Sequence, residues 1–225
     1  MTEIRTLKDK FNLEFYSLNK YYRSNEIFCN FIRELLDNQY TLYPKNNDYD
    51  FRIYDNFIDM YNEIKQKEEK YGLSRLLSGY TRSVKKDDYD IKIDGFEFNW
   101  NPPNVKDKKI NWAYTDNAKE LKEIGCIYAI QGIDLNYAGV IIGNDLYYDK
   151  ETGNIKVDES SMKSKKMLIP LKKNHINNYK EYEEEIYKKV ANIYYVLLTR
   201  GIKGCYVYIE DENLREYMKS KIINK

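Results

Sequence analysis

Between Asn192 and Tyr208 an apolar run ends in an arginine and a second apolar run follows at once: Asn-Ile-Tyr-Tyr-Val-Leu-Leu-Thr-Arg-Gly-Ile-Lys-Gly-Cys-Tyr-Val-Tyr. Val196, Leu197 and Leu198 have the pattern of a buried helix end, Gly201 and Gly204 break it, and Cys205, Val207 and Ile209 alternate as a strand does. This pattern predicts a helix that turns directly into a strand, with Arg200 fixed at the corner. A guanidinium on such a rigid junction suits a phosphate, because its planar fork is always charged and binds bidentately. Two plainer roles stand beside that one: capping the last helical carbonyls, or pairing with a surface carboxylate.

The rest of the chain repeats the alternation. Phe11 to Leu18 reads as a strand, then Ser24 as an N-cap before a helix whose Ile27, Phe28, Phe31, Ile32, Leu35 and Leu36 recur at helical spacing. Tyr22 and Arg23 thereby fall in a strand-to-helix turn. Phe51 to Tyr54 reads as a strand, and Asp55 or Asn56 caps a second helix with Phe57, Met60 and Ile64 inward. Ser74 to Tyr80 is another buried strand. Ile91 and Ile93, the turn Asp94-Gly95, then Phe96 and Phe98 form a strong hairpin signal, which Pro102-Pro103 ends. A short helix over Asp116 to Lys122 leads to the central-strand pattern Ala138 to Gly143, and a second hairpin turns around Thr152-Gly153-Asn154. Residues 156–178 are polar and lysine-rich, which predicts a mobile loop. The next helix places Tyr182, Ile186, Val190, Ile193 and Val196 inward; a last one opens at Asp211 with Leu214, Tyr217, Met218 and Ile222 inward. Strands alternating with helices predict an α/β sandwich with a mostly parallel sheet.

Composition removes several classes. Lys plus Arg is 37 against 36 for Asp plus Glu, so no diffuse basic coat for nucleic acid exists, although a local basic groove is compatible with it. The chain has one histidine, His175, in a polar run that reads as a surface loop, and no CxxC, which nearly excludes a zinc site or a histidine-based triad. Cys29, Cys126 and Cys205 lie in apolar contexts and read as buried free thiols, which points to a reducing, cytoplasmic setting. No apolar run is long enough to span a bilayer. The 24 tyrosines read as compositional bias, so none is singled out on that ground.

Three loops stand out: Tyr22-Arg23, Gln131-Gly132-Ile133-Asp134 and Thr199-Arg200-Gly201. With Leu18 to Asn25, Tyr49 to Tyr54, Arg75 to Tyr80, Ile130-Gln131-Gly132 with Val140 to Gly143, and Val196 to Gly201, they resemble in order the motifs of the second RecA-like domain of superfamily 1 helicases. The closest resemblance is to the Schlafen-group-3-like DNA/RNA helicase family. It implies a RecA-like, P-loop NTPase-type fold, mostly parallel and flanked by helices with inserted hairpins. Residues 1–225 would form one such domain, with the hairpin insertion around 81–112.

By that resemblance Tyr22 stacks on adenine, Arg23 contacts the γ-phosphate, and Gln131, Gly132 and Asp134 form the loop that touches the ribose and couples the nucleotide to a nucleic-acid strand. Arg200 is then the second arginine on the γ-phosphate, and Tyr128 and Gln131 face the strand. Each has a plain alternative: Tyr22 covering the core edge, Asp134 capping a turn, Gln131 bonding backbone. The family pattern puts Gln at Tyr21 and His at Tyr128, and this chain has tyrosine at both. It also has no G-x-x-x-x-G-K-[ST] loop and no strand ending in paired acids for Mg²⁺. The chain therefore reads as the C-terminal half of an ATP-dependent helicase or translocase, whether by truncation or gene splitting. ATP and Mg²⁺ are expected only with a P-loop domain as partner, with single-stranded DNA or RNA as a second partner and no membrane. The chain alone is expected to bind no cofactor and hydrolyse nothing, and its edge bearing Tyr22, Arg23 and Arg200 should be exposed. The other reading is a non-enzymatic RecA-like module that binds nucleic acid or protein.

Overall fold

A computed structural model describes residues 24–45, 48–81, 91–100, 111–163, 168–169, 171–172 and 178–223. In chain order the elements are α1 (Glu26–Leu36), β1 (Tyr43–Pro44), β2 (Asp50–Tyr54), α2 (Phe57–Tyr71), β3 (Ser74–Ser78), β4 (Ile91–Ile93), β5 (Phe96–Trp100), α3 (Asp116–Lys119), β6 (Glu123–Ile124), β7 (Leu135–Ile142), β8 (Leu146–Asp149), β9 (Asn154–Val157), α4 (Tyr179–Leu198), β10 (Gly201–Ile209), α5 (Glu212–Ser220) and β11 (Ile222–Ile223). Short 3-10 turns at Trp112–Tyr114 and Glu159–Ser161 complete the described elements.

Four parallel strands in the order β2-β10-β7-β3 form the central sheet. β7 is central, as its uninterrupted apolar run requires of a strand covered on both faces. Beyond β3 the sheet continues: Gly125, next after β6, donates to Leu76 O at 2.9 Å and accepts from Ser78 N at 3.0 Å. β6 pairs in parallel with β5, and β5 pairs antiparallel with β4. The predicted hairpin therefore extends the sheet edge, and its turn residues Asp94 and Gly95 have φ of 48° and 82°, the left-handed pair that a two-residue hairpin needs.

Side chains alternate across β10 and so identify the two faces. Cys205 lies by Tyr49, which stacks on Phe28 of α1, whereas Tyr206 turns the other way toward Tyr54, Tyr137 and Lys67 of α2. On the α2 face Phe57 packs against Phe96, Phe98 and Tyr208. Arg75 of β3 is only 1% exposed and ties this layer together, bonding Glu68 of α2 at 2.7 Å, Ala113 O at 2.8 Å and Ser74 O at 2.8 Å.

Several boundaries differ from the sequence reading. Asn25, not Ser24, caps α1, its side chain accepting from Phe28 N at 3.0 Å; Asn56 and Asp211 cap α2 and α5 as expected. The helix from Asp116 stops at Lys119, because Leu121 takes a positive φ of 55°. Val196 is only half-buried, and Ile222 lies in β11, which pairs with β1, rather than on α5. The 156–178 segment is not all loop: Lys156 and Val157 belong to β9, and Tyr182 holds the Glu159 carboxylate at 2.6 Å. The strand expected over Phe11 to Leu18, the Tyr21-Tyr22-Arg23 turn, Pro102-Pro103 and His175 lie outside the described residues. Cys29, Cys126 and Cys205 are buried and free, and burial pushes all three thiols up, so none is a reactive thiolate.

Candidate functional site

The α4–β10 corner forms as its sequence predicts, with one difference. α4 ends at Leu198, and Thr199 closes it, its hydroxyl donating to Tyr195 O at 2.7 Å and its amide to the same carbonyl at 3.0 Å. Gly201 and Gly204 do not precede the strand; they belong to it, and β10 begins at Gly201. Against β7 the register passes from Gly201↔Leu135 to Gly204↔Tyr137, so three steps oppose two and Ile202-Lys203 bulge out. Both glycines are required there. A Cβ on Gly201 would fall inside the Gly204 carbonyl oxygen, and one on Gly204 would lie 2.5 Å from Asp50 O.

Arg200 reaches across to the neighbouring strand's entry loop. Its Nη1 donates to Ile133 O at 3.3 Å, and its own carbonyl accepts from Leu135 N at 3.3 Å. The Gln131–Asp134 loop and the Thr199–Gly201 corner are thus one unit. In that loop Gly132 has φ of 73°, Ile133 is buried, and Gln131, Gly132 and Asp134 are exposed. Arg200 is 7% exposed, which overturns the expectation of an accessible arginine. The loop before β7 supplies an acceptor to its guanidinium, and a charge enclosed this way needs acceptors around it.

Tyr49 opens the Tyr49 to Tyr54 motif segment, but its contact with this corner was not foreseen, since a tyrosine before a strand carries no periodic signal. Its hydroxyl donates to Gly201 O at 2.9 Å, and the Ser24 hydroxyl lies beside it. Burial pushes the Tyr49 phenol well up, keeping it a neutral donor. The chain following Tyr22-Arg23 therefore enters next to the Arg200 corner, while the positions of Tyr22 and Arg23 themselves are outside the described residues.

Both strands concerned, β7 and β10, start at this corner, so it is the amino edge of the parallel sheet. Tyr128 is elsewhere. It is 64% exposed and packs at 6.4 Å on Tyr80, which follows the carboxyl end of β3. Among the described residues no group of three or more His, Cys, Asp or Glu side chains could hold a metal ion, and no helix is long and apolar enough to cross a membrane.

A mostly parallel sheet covered by helices, with arginine and loop gathered at one end, is consistent with a RecA-like fold. The family follows from comparison: the model for the Schlafen group 3 DNA/RNA helicase domain matches residues 1–211, and the chain belongs to that family. It is 34% identical over 175 residues to the uncharacterized protein YPL245W of Saccharomyces cerevisiae (strain ATCC 204508 / S288c), a match covering 76% of this chain and 37% of that protein. No solved structure matches.

Proposed function

We propose that this helicase-family chain supplies the second side of a nucleotide site whose phosphate loop and Mg²⁺ ligands belong to a separate P-loop domain. The observation that carries the reading is the union of Arg200 with the Ile133 carbonyl, which holds two of the three motif loops as one corner. The third loop reaches that corner through Ser24 and Tyr49. Open α/β sheets bind their own ligands outside the carboxyl ends of the strands; Arg200 is at the amino edge, so this reading takes the ligand from another domain rather than from this sheet. Ile133 O is a neutral acceptor at 3.3 Å, whereas a phosphate is charged and can accept from a guanidinium bidentately.

ATP fits this chain only as a partial site. Arg200 would meet its phosphate, Gln131 and Asp134 its ribose, and Tyr22 and Arg23 its adenine and phosphate. ATP supplies the phosphoryl group transferred to water, and Arg200 would stabilise the charge that grows on it. Tyr128, 64% exposed beside Tyr80, would face single-stranded nucleic acid. The low exposure of Arg200 favours the alternative, a non-enzymatic binding module in which the arginine only ties two loops together.

Reconstitution with a P-loop domain of the same family separates them. The chain alone should hydrolyse no ATP above background. With the partner, Arg200→Ala should slow turnover by roughly a thousandfold or more while docking changes little. Equal rates for wild type and Arg200→Ala, or full activity with a partner lacking its P-loop lysine, would reject the split site and leave the binding module.

A further inference from the structure

The bulge in β10 does something that holding Arg200 does not require: it carries Lys203 out to the α2 face. There Lys203 Nζ lies 5.5 Å from the ring centroid of Tyr71, the last residue of α2, and Lys70 Nζ lies 5.1 Å from the same ring. Tyr71 is 38% exposed and stacks at 5.6 Å on Tyr137, which meets Tyr206 at 5.5 Å, which meets Tyr54 at 5.5 Å. Cations follow this row of rings: Lys67 Nζ is 4.7 Å from the Tyr137 centroid and Arg52 Cζ 5.1 Å from that of Tyr206. Arg52 then opens onto a cleft of about 630 Å³ along the outer side of β2, shared with Lys45.

Electron-rich rings hold an ammonium without neutralising it, unlike a carboxylate. Lys67 and Arg52 share Asp50, at 3.3 and 2.8 Å, and Arg52 also meets Glu63 at 3.7 Å, but Lys70 and Lys203 have no carboxylate partner among the described residues. A lysine in the last turn of α2 is what the helix dipole favours. Lys203 has no such reason, and two sterically obligatory glycines place it where it is.

The geometry points to a single-stranded nucleic-acid site at this end of the strip: Lys203 and Lys70 take successive phosphates, and a base stacks on Tyr71. Two lysines without a carboxylate partner among the described residues, on either side of an exposed ring, are the combination that sequence-tolerant single-strand binding uses. The site is separate from Tyr128, and it depends on neither the nucleotide nor a second domain.

Fluorescence anisotropy of labelled oligo-dT and oligo-U with the isolated chain tests it, across a salt series. Lys70→Glu/Lys203→Glu, both exposed positions, should weaken binding by at least about tenfold and lower the log–log salt slope by about 1.4, two single-strand phosphate contacts. Tyr71→Ala should cost about tenfold with its salt slope kept, and Lys150→Glu on the far hairpin should change nothing. A charge-reversed double variant that binds as wild type does, or a wild type that binds anionic phospholipid vesicles but neither oligonucleotide, overturns the assignment. Because no ATP or partner is present, this result is independent of the split-site reconstitution.

Discussion

Gly201→Ala tests the bulge on which both Arg200 and Lys203 depend. An alanine Cβ there would fall inside the carbonyl oxygen of Gly204 and 3.1 Å from Ala138 N. Those neighbours are backbone, so no rotamer change relieves the overlap, and the bulge or the β7 pairing must move. Overpacking a tight site costs about 1–3 kcal/mol, and a backbone obstacle places this case near the upper end, about 3 kcal/mol. For a chain of this size each kcal/mol lowers Tm by roughly 2–4 °C, giving a fall of about 6–12 °C. Gly132→Ala is the comparison. Nothing lies within 4 Å of its added Cβ, but φ is +73°, so only left-handed strain of about 1 kcal/mol applies. Thermal melts followed by far-UV circular dichroism read both. If Gly201→Ala melts within about 2 °C of wild type, or above Gly132→Ala, the close approach does not exist and the bulge argument fails.

Two further outcomes follow from charges near α2. Arg75→Ala should lower unfolding stability by about 3 kcal/mol in urea, because it leaves the Glu68 carboxylate with only the Ser74 amide and strands the Ala113 carbonyl around a 1% exposed position; a loss under about 1 kcal/mol would contradict the ion pair. At Asp50 burial pushes the carboxyl up, but bonds from Tyr206, Arg52 and Lys67 outweigh it and hold the pKa below the ordinary value. A depressed folded pKa gives stability that is full above the unfolded value, about 4, and is lost as pH falls through the folded one. Asp50→Asn should therefore cost about 1–2 kcal/mol at neutral pH and flatten the acid limb below about pH 4, and an unchanged acid limb would show that the carboxylate is not so held.

What the sequence determined by itself was local. The 3.6-residue spacing in α2 and α4, the caps Asn56 and Asp211, the Asp94-Gly95 turn and the apolar run of β7 each follow from interactions within a few residues, and the structure has all of them. The ordered motifs likewise marked the Gln131–Asp134 loop and the Arg200 corner, which meet at Ile133. Tertiary structure decided what depends on residues far apart in the chain. Periodicity says that β2, β3, β7 and β10 are strands but not that they pair as β2-β10-β7-β3, nor that Gly125 carries the hairpin onto the edge of β3. Gly201 and Gly204 read locally as helix breakers; only the β7 register and the nearby Asp50 carbonyl make them the ends of a bulge. The same holds for the burial of Arg200, for Tyr49 under Gly201, and for the tyrosine row, whose members at positions 54, 71, 137 and 206 are neighbours only after three strands and a helix end have come together.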